Sequence, residues 1–235
     1  MNPAPSLVTL HVWGVENIQV PGSLYRMASQ RRHLRTYPGV TFAKLLGTGS
    51  GDTFTVRDSD IHHWAILACW DAPQAAASFE RSGMVRSWDR HSSERLRLEL
   101  KPLSSKGQWS GQSPFGEPEP QRHEGPVAAL TRARLRATRA TAFWQAVPPV
   151  STALHDSPGL VLSLGIGEAP IGLQGTFSAW SSTSALSRFA YEDPRHQEVI
   201  RRTHELGWYA EELFARFALT RHSGTYCGVP LGIEP

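Results

Sequence analysis

The segment VTFAKLLGTGSG, residues 40–51, combines a β-rich run with a glycine-rich end, and a closely similar segment recurs later in the chain as LVLSLGIGEAP, residues 160–170. A proline and a glycine precede both copies. The strand-like run that follows also recurs, since HHWAILACW, residues 62–70, is matched by GTFSAW, residues 175–180. The same order of strand-forming runs and turn residues, met twice along one chain, indicates an internal duplication.

Each copy fits the order of a ferredoxin-like unit. In the first copy the residues favour strands at 7–15, 40–51, 62–70 and 95–103, with helices at 21–37 and from 73 to about 91. This β-α-β-β-α-β order is the split βαβ arrangement. Two such units can bury the open faces of their sheets against each other. We therefore predict an α+β fold in which two ferredoxin-like βαββαβ repeats pack as a pseudo-dimeric α+β barrel.

The predicted domain boundaries follow a change in composition. Residues 104–125 are rich in Ser, Gly, Pro and Glu, as are many segments that join domains. We predict a first ferredoxin-like half over residues 1–103, a linker over 104–125 and a second half over 126–235.

Composition excludes several classes of protein. The 235 residues carry a net charge of +3 and two cysteines far apart, which argues against a nucleic-acid-binding protein and against a disulfide framework. No apolar run approaches the roughly 20 residues of a membrane span, and no signal peptide pattern opens the chain. We expect a cytoplasmic location. The glycines of residues 47–51 lack the spacing of a nucleotide-binding loop.

A histidine near the end of the chain is the candidate metal ligand. Asp193 and Pro194 favour the start of a helix, and at about 100° per residue His196, Thr203 and Gly207 fall on its buried face. The two small residues would leave room for a flat cofactor beside the imidazole. We interpret His196 as a haem ligand, although a packed histidine fits the same spacing.

Arginines near the start of the second half form a second candidate feature. In TRARLRATRA, Arg132, Arg134 and Arg136 would share one face of a strand, and Arg139 follows. The run fits either a solvated face or a cationic lining for carboxylates such as haem propionates.

Four segments together resemble the spheroidene monooxygenase family of carotenoid-modifying enzymes. They are PGVTFAKLLGTGSGDTF, WAILACW, RLRLELKPLSSKGQWSGQSPF and RHQEVIRRTHELGWYAEELFARF. The resemblance implies a haem b enzyme that uses O₂ to introduce a keto group into an acyclic carotenoid, with electrons from a ferredoxin-type donor. It implies the dimeric α+β barrel fold, with His196 as the axial ligand of the iron, and leaves open whether the chain forms a homo-oligomer.

Further site residues follow from this resemblance. Lys44, Gly47 and Gly49 match a family motif, and a cation beside exposed N–H groups would suit a propionate, although a tight turn explains them equally well. His11, His63, Arg134 and Arg139 are candidate catalytic residues on the side of the pocket opposite the ligand. Trp13 and Trp144 are candidates for lining an apolar channel.

Two other functions remain open at this point. A haem enzyme could instead dehydrate or rearrange a nitrogen-bearing substrate bound directly to iron. Barrels of this class also include oxygenases and binding modules without a cofactor. Haem uptake separates the last function from the other two, and a requirement for O₂ separates the first two.

Overall fold

The computed structural model describes residues 3–52, 58–135, 151–169, 173–192, 201 and 209–233. Within these residues, eight antiparallel strands close into one barrel in the order β1-β3-β2-β6-β7-β5-β8-β4. The strands are β1 Leu7–Gly14, β2 Val40–Gly49, β3 Ser59–Trp70, β4 Glu94–Gly107, β5 Val127–Leu135, β6 Leu160–Gly167, β7 Gly175–Trp180 and β8 Tyr209–Gly224. The helices are α1 Val20–Ser29, α2 Arg31–Arg35, α3 Pro73–Glu80, α4 Gly83–Asp89 and α5 Thr183–Glu192.

The barrel consists of two halves with the same topology. β1–β4 and β5–β8 repeat one pairing pattern, and the register is equivalent because Leu7 opposes Trp70 as Val127 opposes Trp180. The halves join along two seams. β4 pairs with β8 over the length of both strands, whereas β2 pairs with β6 only from Gly47 to Gly49. The predicted α+β fold of two ferredoxin-like repeats in a barrel is confirmed.

The barrel interior is filled by apolar side chains. All eight strands contribute buried residues to one cluster, because alternate side chains of each strand point inward. β4 shows the pattern clearly: Leu96, Leu98 and Leu100 are buried inside, while Arg95 and Arg97 lie on the other face. The interior is therefore the shared core of both halves.

The helices of the first half cover its outer sheet face. Trp13, Trp64 and Trp70 project from β1 and β3 and pack with Phe79 of α3 and Trp88 of α4 in a second buried cluster. Large aromatic side chains thus fill the space between this sheet and its helices. No helix in the described part of the chain is long and apolar enough to cross a membrane.

Three local predictions need correction. The glycines at 47 and 49 lie within β2, not in a turn after it. β4 continues to Gly107 and so takes up the first residues of the predicted linker. The helix predicted over residues 21–37 consists of two shorter helices, α1 and α2.

The segment predicted as a linker contains a structured turn. In GQWSGQSPFG, residues 107–116, Trp109 bridges to Gln112, and the indole and the ring of Phe115 are buried in the barrel core. The chain repeats this turn after β8 as GTYCGVPLG, residues 224–232, where Tyr226 bridges to Val229. Both turns place a residue with positive φ before a glycine, Ser110 at 56° and Cys227 at 52°. Each half therefore ends in the same closing turn.

We expect Phe115→Ala to lower the free energy of unfolding by about 3–5 kcal/mol, because the ring fills the barrel core and truncation leaves a cavity. Phe115 is 0% exposed and packs edge-on against Phe217 at 4.8 Å. Glu119→Ala, at an exposed position of the same segment, is the matched control and should change little. Urea unfolding measures both. Equal tolerance of the two substitutions would mean that the segment is a linker after all.

Candidate functional site

The outer sheet faces of the two halves differ in the size of their side chains. Aligned by strand register, Trp13 of β1 corresponds to Ala133 of β5, and Leu45 of β2 corresponds to Gly165 of β6. Ile66 of β3 likewise corresponds to Thr176 of β7. At these positions the first half carries large side chains and the second carries small ones. Side chains therefore project less far from the outer face of the second half.

This outer face of the second half, which we call the small-residue face, is also more polar than its counterpart. Its members are Ala129, Thr131, Ala133, Ser163, Gly165, Thr176 and Ser178. The Ser163 hydroxyl is buried and has no hydrogen-bond partner among the described residues. A buried hydroxyl without a partner is costly, so this position suits contact with a further group.

The predicted haem ligand and several of its companions lie outside the described residues. These are His196, Thr203, Gly207, Arg139 and Trp144. Their roles stay predictions. A site with three or more clustered metal-binding side chains is not found in the described ranges. Haem iron needs only one axial side chain from the protein.

His11 lies on the outer face of the first half, away from the small-residue face. Its ring stacks on Phe79 at 6.0 Å and meets Trp13 edge-on at 5.3 Å. Burial, followed by the charges of Arg95 and Arg97, lowers its pKa well below the ordinary value, so the imidazole is neutral. Its Nε2 is 3.5 Å from Glu80 Oε2 without a hydrogen bond, and a neutral imidazole makes no ion pair with that carboxylate. The surroundings are those of a packed core residue.

Gly47 and Gly49 form the short seam between β2 and β6. Gly47 opposes Gly167 and Gly49 opposes Gly165. A side chain at Gly165 would approach the Gly49 carbonyl oxygen to 3.1 Å and the Gly51 nitrogen to 3.0 Å. Close approach of the two backbones explains the glycines here. Their predicted role in cofactor binding stays untested.

Lys44 belongs to a group of buried and half-buried side chains, four charged and one aromatic, that we call the seam network: Lys44, Trp109, Arg132, Glu168 and Glu211. Lys44 Nζ lies 2.6 Å from Glu168 Oε2 and 2.7 Å from Ser110 Oγ. Arg132 donates to Glu168 over 3.1 Å and also pairs with Glu211. The network joins the first half, the connecting turn and the second half at one end of the barrel.

The charges of the seam network balance within it. Burial raises the pKa of Glu168, but its bonds to Lys44 and Trp109 outweigh burial, and the net pKa is lowered. The same holds for Glu211, where the Gly111 and Ser110 N–H groups and Arg132 prevail. Lys44 is thus already neutralised by a carboxylate. This arrangement argues against a second carboxylate, such as a propionate, on the same amine.

Arg134 is exposed near the end of β5, where it opposes Glu211 in the strand register.

Arg132 and Trp109 were not predicted as a pair, and Glu168 and Glu211 were not predicted at all. The repeat of the 107–116 turn at 224–232 could have revealed them, because the two turns imply equivalent anchoring residues at their bases.

His63 lies at the opposite end of the barrel in a cluster with Asp60 and Glu94, which we call the histidine cluster. Its Nδ1 is 2.6 Å from Asp60 Oδ2 and its Nε2 is 2.9 Å from Glu94 Oε1. Glu94 also accepts from the Cys227 and Gly228 N–H groups at 3.0 and 2.9 Å. His63 thereby anchors the second closing turn. His63, His11 and Arg134 do not converge on one site.

The two carboxylates favour the charged form of His63. Burial lowers its pKa, but hydrogen bonds and charge from Asp60 and Glu94 outweigh burial, and the net pKa is raised above the ordinary 6.5. Burial raises the pKa values of Asp60 and Glu94 in turn, and their hydrogen bonds bring both below the ordinary range. All three groups are therefore charged together near pH 6.

We expect this cluster to make stability depend on pH. A raised folded pKa means that the stabilisation by His63 is complete below about pH 6.5 and is lost as the pH rises through the folded value. The carboxylates contribute stability above about pH 4, lost as the pH falls through their lowered pKa values. His63→Gln should cost about 2 kcal/mol at pH 6 and distinctly less at pH 9.

Thermal melts of wild type and variant between pH 5 and 9 measure this difference. His33→Gln, at an exposed position of α2, is the control. A constant gap between wild type and His63→Gln at every pH would contradict the assignment of a charged His63.

Curated relatives resemble the chain over most of its length. The spheroidene monooxygenase of Rhodobacter capsulatus is 37% identical over 232 residues, which are 96% of this chain and 94% of the relative. The spheroidene monooxygenase of Rubrivivax gelatinosus is 36% identical over 84% of this chain and 71% of its own. That of Cereibacter sphaeroides is 32% identical over 87% of this chain and 64% of its own. No family model matches the chain.

Solved structures agree with the fold. A crystal structure of aldoxime dehydratase matches with a TM-score of 0.59 at 12% identity, covering 93% of this chain and 84% of that one. A second, titled as aldoxime dehydratase in complex with butyraldoxime, has a TM-score of 0.58 at 10% identity, with 93% and 82% coverage. Identities this low show a shared architecture alone. The sequence relatives are much more similar, and by their identity and coverage the chain belongs to the spheroidene monooxygenase family.

Proposed function

We propose that the protein is a haem-dependent monooxygenase that oxidises an acyclic carotenoid with O₂. The observation that carries the proposal is the 37% identity to a spheroidene monooxygenase over nearly the whole length of both chains. Identity at this level supports an oxidoreductase of the monooxygenase type. The haem, the carotenoid substrate and a ferredoxin-type electron donor are the further parts of the proposal.

The small-residue face supports haem binding by its shape. A flat macrocycle needs a sheet surface without protruding side chains, and Ala133 and Gly165 provide one where the first half carries Trp13 and Leu45. The unpartnered Ser163 hydroxyl adds a polar contact. His196 is the proposed axial ligand. Bound there, haem would supply the activation of O₂ that amino-acid side chains do not provide.

The protein's own contribution is to place the substrate and keep out water. Because the barrel interior is packed from end to end, an elongated apolar substrate has no room inside it. The first outer face is equally filled by aromatic side chains. The proposed substrate would therefore lie against the second half, beside the small-residue face. The low polarity of Ala129 and Ala133 suits a hydrocarbon chain.

The spectrum of the purified protein tests the cofactor. Full-length protein produced with a haem precursor should show a Soret band. His196→Ala should shift or weaken that band and lower the affinity for haemin at least tenfold. His204→Ala is the matched control, about two helical turns further along the predicted helix, and should leave the band in place. Colourless protein that gains no thermal stability from haemin would contradict haem dependence.

Turnover under controlled oxygen tests the reaction. With an acyclic carotenoid in detergent, a reductant and ¹⁸O₂, we expect ¹⁸O in the product and no conversion under argon. Product formed under argon from a nitrogen-bearing substrate such as an aldoxime would instead indicate a dehydratase. Conversion of the carotenoid by colourless protein would indicate an oxygenase without a cofactor.

A further inference from the structure

The outer layer of the first half carries an unusual run of sequence. Between Glu16 and Asp52 the chain has no acidic residue, while it has four arginines, one lysine and one histidine. A second run without acidic residues, 125–155, also carries four arginines, but Arg132 among them is buried in the seam network, and the whole chain is only +3. The run includes the two consecutive helices α1 and α2 of the outer layer.

Contacts of these helices determine which of the charges reach the surface. Arg26 is buried with its guanidinium 5.0 Å over the Trp88 ring, and Lys44 belongs to the seam network. Arg31 is exposed and also donates to the Glu168 carbonyl. Arg32 and Arg35 are fully on the surface of α2. Arg31, Arg32, His33 and Arg35 make an exposed basic group around the single buried residue of that helix, Leu34.

Exposed apolar side chains precede the basic group on the same layer. Ile18 is 80% exposed and Tyr25 is 73% exposed, and Leu24 beside Tyr25 is 40% exposed. α1 is fixed to the protein through Ser23, Arg26 and Met27, so Leu24 and Tyr25 are held outward on a rigid support. Large apolar residues projecting next to arginines are typical of elements that lie in a membrane interface.

We propose that the segment from Ile18 to Arg35, the docking segment, binds the surface of an anionic lipid bilayer. The arginines would meet the lipid phosphates, while Ile18, Leu24 and Tyr25 would enter the boundary between headgroups and acyl chains. An acyclic carotenoid partitions from water into the bilayer, so a docked enzyme gains direct access to it. The choice of a lipid bilayer as the partner rests partly on the proposed function, because that function gives the enzyme a carotenoid substrate. The exposed arginines and the protruding apolar side chains support a bilayer without reference to the substrate.

Vesicle flotation with the full-length protein tests the docking segment. The protein should bind vesicles that contain phosphatidylglycerol, bind pure phosphatidylcholine vesicles weakly, and lose much of its binding at about 1 M salt, where screening is strong. Arg32→Glu with Arg35→Glu should weaken binding at least about tenfold. The control is Lys101→Glu with Arg221→Glu, an equal change of charge at exposed positions of β4 and β8. It should weaken binding much less.

A label gives a second readout that does not depend on loss of binding. In a Cys227→Ser background, an environment-sensitive fluorophore on Ile18→Cys should shift to the blue with anionic vesicles, and the same label on Arg216→Cys should not. Cys69 is buried and does not compete for the label.

Equal loss of binding in both charge-reversed proteins, or no shift at position 18, would overturn the proposal. A different partner would also overturn it: the protein would not bind vesicles, but would form a salt-sensitive complex with an acidic ferredoxin, and that complex would require Arg32 and Arg35. Failure of docking is separable from failure of the proposed function, because turnover in detergent needs no bilayer and vesicle binding needs neither haem nor substrate.

Discussion

Pairing of β4 with β8 is the constraint on which the rest of the structure depends. Each half presents a sheet whose inner face is apolar, and neither face could remain in water without large cost. The long seam from Leu96–Gly224 to Gly107–Leu213 joins these sheets edge to edge, and the short β2–β6 seam closes the circle. Closure leaves the interior to the shared core. Among the described residues, apolar side chains of all eight strands occupy the interior, so the outer sheet faces are where we propose that a ligand binds.

The outer faces show how a duplicated fold can give its halves separate tasks. In the first half, tryptophans fill the layer beneath α1–α4 and hold it rigidly, as the bonds from Trp13 to Asp89 and from Trp88 to Gln30 illustrate. At the positions of Trp13 and Leu45 the second half has Ala133 and Gly165. The fold conserves backbone register between the halves while side-chain volume differs. That difference is the basis for proposing a structural first half and a ligand-binding second half.

Sequence alone was sufficient for the architecture and insufficient for the site. The period-two pattern in RLRLEL and the repeated strands gave the correct α+β barrel, because burial imposes those patterns locally. The role of Gly47 could not be predicted, since it depends on a partner strand about a hundred residues away. Trp109 was assigned to a linker because its turn is rich in Gly and Ser, and only the contact with Glu168 shows why an indole stands there. The prediction of His196 rests on helical spacing and family resemblance alone, since the residue lies outside the described ranges.

The two ends of the barrel illustrate how equivalent positions acquire different chemistry. Glu94 and Glu211 occupy the same register in β4 and β8, and each accepts two backbone N–H bonds from the closing turn of the other half. Glu211 is paired with Arg132, whose charge does not change in the physiological range. Glu94 is paired with His63, whose charge does change there. The turn at 224–232 is thus held by a bond whose strength varies with pH, whereas the turn at 107–116 is not. Because the first turn connects the two halves and the second follows the last strand, the permanent ion pair lies at the connection between the repeats.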